Sequence, residues 1–168
     1  QQEGKTVVLV AINSQLVGLI SLLDSPKQSA KSAIMALKDN GVEVVMLTGD
    51  NKRTATTIAN DLSIDRVIAN VMPSEKVNVI KELQSSGKKV AMIGDGINDA
   101  AAIMQSDVRI AIGSNTKVAR EAGKIILLRD DLYSVVTAIE ISKKTVGKIK
   151  QNLFYAFAYN IILIPVAG

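Results

Sequence analysis

The sequence predicts an α/β fold: a doubly wound parallel sheet, preceded by a β-hairpin and followed by a C-terminal stalk and transmembrane helix. Three observations carry this expectation. From about residue 24 to residue 130, short apolar runs rich in valine and isoleucine alternate with amphipathic segments, as in a parallel sheet with helices on both faces. Before them, two apolar stretches flank the polar tripeptide NSQ. After them, the run NLFYAFAYNIILIPVAG, from Asn152 to Gly168, carries no charge.

Taken in order, Thr6 to Ile12 and Leu16 to Leu23 read as the two strands of a hairpin closing a small separate sheet. Asp24 to Lys27 is a candidate hinge. Ser25 is placed to cap the next helix, with Pro26 in its first turn, Ala33, Ile34 and Leu37 on its apolar face and Gly41 at its end. A strand (Glu43 to Leu47), a helix (Lys52 to Leu62), a short strand (Arg66 to Ala69), a helix (Glu75 to Ser85) and a strand (Lys89 to Ile93) follow. The series continues with a short helix from Ala100, a strand (Val108 to Ile112), a helix (Thr116 to Ala122) and a strand (Lys124 to Leu128). A last helix starts near Asp131, with Leu132, Val136, Ile139, Val146, Ile149 and Leu153 close to one stripe. It runs into the apolar end, whose length reaches the lower limit for a bilayer span, about 17 residues. A buried terminal helix is the alternative, but Lys143, Lys144, Lys148 and Lys150 crowd the approach, as the positive-inside rule expects.

Composition narrows the chemistry. The 168 residues allow one ordinary domain with appendages, and 48% of them are apolar. There is no cysteine and no histidine, so disulfides, thiolate metal sites and imidazole catalysis are excluded within this sequence. Two phenylalanines, three tyrosines and no tryptophan leave little for base stacking, so nucleic-acid binding is disfavoured. What remains are carboxylates, hydroxyls, amides and lysines.

Ligands of open parallel sheets sit beyond the carboxyl ends of the strands. Two loops there stand out. In VVMLTGDN, Thr48 offers a hydroxyl and Gly49 a bare backbone, with Asp50 and Asn51 leading into a helix. A phosphate could accept from the hydroxyl and nearby N–H groups, although the same residue types suit any strand-to-helix turn. In VAMIGDGIND, Gly94 and Gly96 flank Asp95 on a tight turn and Asp99 follows at a helix entrance. Magnesium suits one or two such carboxylates together with phosphate oxygens and water. The bland reading is that Asp99 only caps the helix and Asp95 only makes a turn. Between the loops, MPSEKVNVI puts Lys76 in the first turn of a helix.

Read in order, TGDN, PSEK and GDGINDAAAI resemble signature segments of the haloacid-dehalogenase-like phosphorylation domain of P-type ATPases, and the resemblance covers essentially the whole sequence. It implies that residues 1–23 end a nucleotide-binding domain, 24–130 form a phosphorylation domain lacking its nucleophile strand, 131–151 a stalk helix and 152–168 a truncated transmembrane helix. It implies a catalytic set of Thr48, Gly49, Asp50 and Lys76. The first two would bind the transferred phosphoryl group and the lysine would neutralise its charge. Asp95 and Asp99 would hold Mg²⁺, and Gly94, Gly96 and Asn98 would complete the cofactor site, with ATP as phosphoryl donor. The pair Tyr159-Asn160, followed by Ile164-Pro165, is similar to a membrane helix of copper-transporting heavy-metal P-type ATPases. That implies Tyr159 and Asn160 as candidate ligands of a transported soft cation, Cu⁺ or Ag⁺. The implied partners are that cation, the lipid bilayer and the remainder of the same pump, with residues 1–151 cytoplasmic.

The sequence also departs from the family. The DKTGT segment with the nucleophilic aspartate does not occur, nor do the TGE loop and a Cys-Pro-Cys metal site. In the family fold the missing aspartate ends a central strand, so the sheet is expected to lack its middle, and the chain alone is expected neither to autophosphorylate nor to fold well. A carboxyl-side piece of a larger pump is the favoured reading, since the sequence starts inside one lobe and stops inside a membrane helix. A noncatalytic membrane-anchored remnant or regulatory module docking on an intact pump is the alternative, and a soluble phosphatase of the same superfamily ranks last. Ala101 stands where the family commonly has proline. Arg109 stands where it commonly has glycine, which is expected to put a cation near the active-site side of the sheet.

Overall fold

The computed structural model describes residues 6–22, 26–95, 98–113 and 121–167, in two units that divide after Tyr133. The first unit opens with an antiparallel hairpin of β1 (Thr6–Ile12) and β2 (Gln15–Leu22). The link is tighter than NSQ suggested: Ile12 pairs with Gln15, and only Asn13 and Ser14 turn the chain, at φ 49° and 65°. Two left-handed residues give a turn whose twist matches that of the strands, and asparagine tolerates this conformation better than most residues. Val10 faces Gly18 while Ala11 faces Leu16, so Val17 is an extra residue that bulges β2.

Helix α1 (Gln28–Asp39) starts later than expected. Lys27 is its extended N-cap and makes no capping bond through its side chain, so Pro26 precedes the helix; Ser25, the expected cap, and Asp24 lie outside the described residues. The Lys27 ammonium is engaged elsewhere, on the carboxylate and carbonyl of Asp130. The expected apolar face is present: Ala33, Ile34 and Leu37 are buried. Gly41, at φ 77°, follows the C-cap Asn40 and turns the chain away.

The parallel region then runs β3 (Val45–Leu47), α2 (Lys52–Leu62), β4 (Arg66–Ile68), α3 (Lys76–Ser85), β5 (Ala91–Gly94), α4 (Ala100–Gln105), β6 (Val108–Ile112) and β7 (Ile125–Leu127). Of the helix expected from Thr116 to Ala122, residues 114–120 lie outside the described residues, and Glu121 and Ala122 are helical. Several strands are shorter than their apolar runs, because a strand ends where its ladder ends. β3 is paired with β4 alone, and β5, β6 and β7 form a second parallel sheet.

Between the two half-sheets lies a cavity of about 490 Å³, lined by Val45 and Leu47 of β3, Ala91 and Met92 of β5, and Ile80 and Leu83 of α3. The strand order across the region is therefore β4, β3, gap, β5, β6, β7. A core of Ile80, Met92, Ala102, Ile103 and Ala122 lies on the β5 side, and Leu47 packs against it, so apolar contact continues beyond the gap even where the ladder does not.

The amino-terminal end of the second half-sheet is tied by Asp107. Its carboxylate accepts from the Gln84 side-chain amide at 2.9 Å, the Val90 N–H at 3.0 Å and the Lys89 ammonium at 2.9 Å. These donors, the Gln84 amide foremost, hold its carboxyl well below the usual carboxylate range.

The second unit is made by α5 (Tyr133–Ala167), 35 residues long, from its second residue onward. At about 1.5 Å per residue it extends roughly 50 Å. The truncated transmembrane helix expected at 152–168 is, as far as Ala167, simply its last part. No helix among the described residues is long and apolar enough to cross a membrane.

The depressed carboxyl of Asp107 has a definite sign. Its stabilisation is complete above the usual carboxylate range and is lost as the pH falls through the depressed folded value. Asp107→Asn is expected to lower the urea midpoint at pH 7, and its deficit against the parent should shrink at pH 3. Equal midpoints at pH 7 would remove Asp107 as a tie.

Candidate functional site

Beyond Leu47 the chain is fixed by backbone bonds to the loop after β4. The Thr48 N–H donates to the Ile68 carbonyl at 3.0 Å, the Val71 N–H to the Thr48 carbonyl at 3.1 Å, and the Asn70 N–H to the Asp50 carbonyl at 2.8 Å. Asn70 reaches this position with φ 57°. Asn51 caps α2, accepting from the Thr54 N–H at 3.0 Å, so that residue is structural. Gly49 is not demanded by packing, since a Cβ there would meet only the Val71 carbonyl, at 3.4 Å.

Thr48 departs from expectation. Its hydroxyl lies 2.9 Å from the Asp50 carboxylate and accepts from the Asp50 N–H at 3.1 Å. An ionised carboxylate only accepts, so the hydroxyl proton points at Asp50 and is not free for a phosphate. Asp50 thus sets the direction of the Thr48 hydroxyl.

Lys76 is the first residue of α3, at the end of a loop that Glu75 organises. The Glu75 carboxylate accepts from the Met72 N–H at 3.0 Å, and the Met72 carbonyl accepts from the Glu75 N–H at 2.9 Å. The sequence reading gave Glu75 no role. The signal was there, since a glutamate three residues after a chain turn is the reaching half of a capping box.

The Lys76 ammonium donates to Asp99 at 2.6 Å, and the two side chains are only 11% and 16% exposed. Asp99 occupies the N-cap position of α4, yet makes no capping bond. This disposes of the bland reading of Asp99: a carboxylate serving the helix would accept from its first N–H groups, and this one is held by the lysine. Gly94 makes room for it. A Cβ on Gly94 would fall 2.6 Å from Asp99 Oδ2 and 2.8 Å from Asp99 Cβ. The glycine is therefore required by the second aspartate of the loop, beyond any demand of a ligand.

Asp95 and Asn98 are exposed in the same loop, and Gly96 lies outside the described residues. The structure thus joins Lys76, Asp99 and Gly94 in one cluster, and Thr48 and Asp50 in another. Tyr159 and Asn160 are exposed on α5, in the other unit. Among the described residues there is no group of three or more metal-binding side chains. Two carboxylates four residues apart, without nitrogen or sulfur ligands, fit magnesium, which keeps waters and takes phosphate oxygens in its remaining positions. Arg109 pairs with Met92, two positions before the level of Gly94 and Ala111 at the carboxyl end of the sheet.

Comparison with known proteins gives a consistent result. A family model for haloacid dehalogenase-like hydrolase matches residues 1–107. Copper-exporting P-type ATPases of Staphylococcus aureus, strains JH9 and Newman, are each 52% identical over all 168 residues, which make up 21% of those proteins. The chain therefore spans about a fifth of the length of the curated relatives it matches. A zinc-transporting PIB-type ATPase in its E2.Pi state superposes with a TM-score of 0.78 at 40% identity, over 90% of this chain and 25% of the other. The catalytic domain of the CPx-ATPase CopB-B gives a TM-score of 0.64 at 30% identity, over 78% and 53%.

The Lys76–Asp99 pair is testable as a coupling. In urea unfolding of Lys76→Met, Asp99→Asn and the double variant, a coupling of roughly 0.5–3 kcal/mol is expected, as for contacting residues in one network. In a Gly94→Ala background it should fall towards zero, because the new Cβ takes the place of the carboxylate. Additive single effects in the parent background would show that the pair carries no energy.

Proposed function

Since the chain belongs to the haloacid dehalogenase-like hydrolase family, we propose that it is the phosphoryl-handling part of an ATP-driven cation pump. In this reading it supplies the loops for forming and hydrolysing an aspartyl-phosphate. The observation that carries the proposal is the partly buried Lys76–Asp99 pair at the carboxyl ends of the strands, with an aspartate that does not cap its helix.

In this proposal the nucleophilic aspartate arrives on a strand seated between β3 and β5. What supports it is the gap itself: the strand order reverses there, and open α/β sheets bind their ligands at such a switch point. Thr48 and the bare backbone of Gly49 receive the phosphoryl oxygens, once the Thr48 hydroxyl turns away from Asp50. The Lys76 ammonium, held by Asp99, faces the charge of the transferred group. Asp95 and Asp99 would hold Mg²⁺, with Gly94, Gly96 and Asn98 shaping the loop around it. Bound there, the ion would neutralise phosphoryl oxygens. Most of the work is positioning charge, which suits residues already fixed by backbone bonds and an ion pair.

The transported ion is proposed to be Cu⁺ or Ag⁺. The curated relatives at 52% identity are named as copper exporters, whereas the solved zinc-transporting pump is 40% identical. Tyr159 and Asn160 are the candidate cation ligands of this chain. The end of α5 is proposed as the start of a membrane helix, with the rest of the pump supplying the other helices and the loops up to residue 151 lying in the cytoplasm.

In the full-length protein carrying this chain, Asp95→Asn is expected to abolish phosphoenzyme formation from radiolabelled Mg²⁺-ATP; unchanged labelling would sink the magnesium assignment. Tyr159→Phe with Asn160→Ala should leave phosphorylation from inorganic phosphate intact while suppressing Cu⁺-stimulated ATP hydrolysis. Full stimulation in that variant would remove the pair from the ion path.

A further inference from the structure

Among the described residues, four that are not glycine have a left-handed backbone, and three of these have a local reason. Asn13 and Ser14 form the hairpin turn, and Ser63 is the C-cap of α2. Asn70, at φ 57°, stands in neither kind of place. It is exposed in the loop leaving β4, with its N–H on the Asp50 carbonyl at 2.8 Å. Asparagine tolerates this conformation best when its side chain bonds the nearby backbone. The Asn70 carboxamide makes no such bond, nor any other hydrogen bond among the described residues. A glycine would adopt the same φ at lower cost. What asparagine adds is therefore an unused donor, held beside the Thr48–Asp50 cluster at a strained position.

That cluster needs such a donor. The Thr48 hydroxyl gives its proton to the Asp50 carboxylate at 2.9 Å, and must turn away before it can donate to a phosphoryl oxygen. Turning leaves Asp50 one donor short beside an incoming anion, which is costly. We infer that Asn70 is a positioning residue: its side-chain amide swings onto the Asp50 carboxylate as the Thr48 hydroxyl leaves, and so releases that hydroxyl to the phosphoryl group. One N–H···O bond replaces one O–H···O bond at Asp50, and no charge moves. An amide suits the exchange, because it is neutral and carries two N–H donors. The backbone bonds from Asn70 to Asp50 and from Val71 to Thr48, at 2.8 and 3.1 Å, hold the loops together while the side chains rotate. The inference rests on the phosphoryl-binding role proposed for Thr48, and the experiment separates the two.

In the full-length protein carrying this chain, phosphoenzyme would be formed from radiolabelled inorganic phosphate and, separately, from Mg²⁺-ATP. Asn70→Gly keeps the left-handed backbone and removes the amide, so it should unfold no earlier than the parent on heating. It is expected to raise the phosphate concentration for half-maximal labelling about tenfold, as for one lost hydrogen bond to a charged group, and to slow labelling from ATP by a similar factor. Asn70→Asp should be worse, since it sets a second carboxylate beside Asp50. In a Thr48→Val background Asn70→Gly should cost nothing further, because no hydroxyl remains to be released. With Thr48→Ser, which keeps the hydroxyl, the cost should persist. Parent-like labelling of Asn70→Gly, a full further loss in the Thr48→Val background, or no loss with Thr48→Ser would each overturn the inference. A loss confined to ATP would also overturn it and make Asn70 a contact of the nucleotide. A parent protein that takes label from neither source would overturn the phosphoryl reading itself, and the inference with it.

Discussion

The arrangement depends on one ion pair at the carboxyl ends of two half-sheets. Lys76 belongs to the connection leaving β4, and Asp99 to the connection leaving β5, so their 2.6 Å contact joins strands that share no ladder. Both side chains are largely withdrawn from water, which makes the pair more consequential than an exposed one. Among the described residues, ion pairs such as Lys38–Asp65 and Lys27–Asp130 have far more exposed carboxylates and contribute little to specificity. Gly94 has no side chain because Asp99 needs that volume, and Glu75 ties the loop that delivers Lys76. Several small choices of sequence therefore serve one contact.

The second constraint is the gap. A parallel sheet normally has its middle strands paired on both sides, and here β3 and β5 each face a cavity lined by aliphatic side chains. The core compensates in part, since Leu47 reaches the cluster around Met92 and Ile103. Side-chain packing is not directional and can cross a gap that backbone hydrogen bonds cannot. The unmet edges make this the place where an added strand would bring the largest gain in pairing, and such a strand would point its last residue at Thr48 and Gly94.

Much of the fold was legible because it follows period and punctuation. Lys52–Leu62 and Val108–Ile112 have the bounds that their apolar pattern implied, and Ala33, Ile34 and Leu37 are buried as that pattern required. Boundaries failed where tertiary context decides. Glu43 and Val44 look like strand but have no ladder partner, and Pro26 stands ahead of its helix because Lys27 is extended and tied to Asp130. In the site, residue types were legible and their partners were not. That Asp99 turns from its helix to Lys76 depends on loops separated in sequence and brought together only by the parallel topology, whereas Thr48 gives its proton to Asp50 within one tight loop. The level of Arg109 in the sheet is likewise set by its register with Met92, and register is not local.

The charge of the loops leads to a last step. The sequence as a whole is basic, with a net charge of +4, but the candidate site has the opposite sign: Asp50, Asp95 and Asp99 bring three carboxylates against the single ammonium of Lys76. A phosphate approaching these loops meets net negative charge, and the one ammonium is already held by Asp99. Such a site repels its own ligand unless a cation enters with it. A divalent ion at Asp95 and Asp99 would cancel the local excess of negative charge and relax the hold of Asp99 on Lys76 in one event. On this reasoning, under the proposed function, the excess of aspartates would make phosphate binding conditional on the metal.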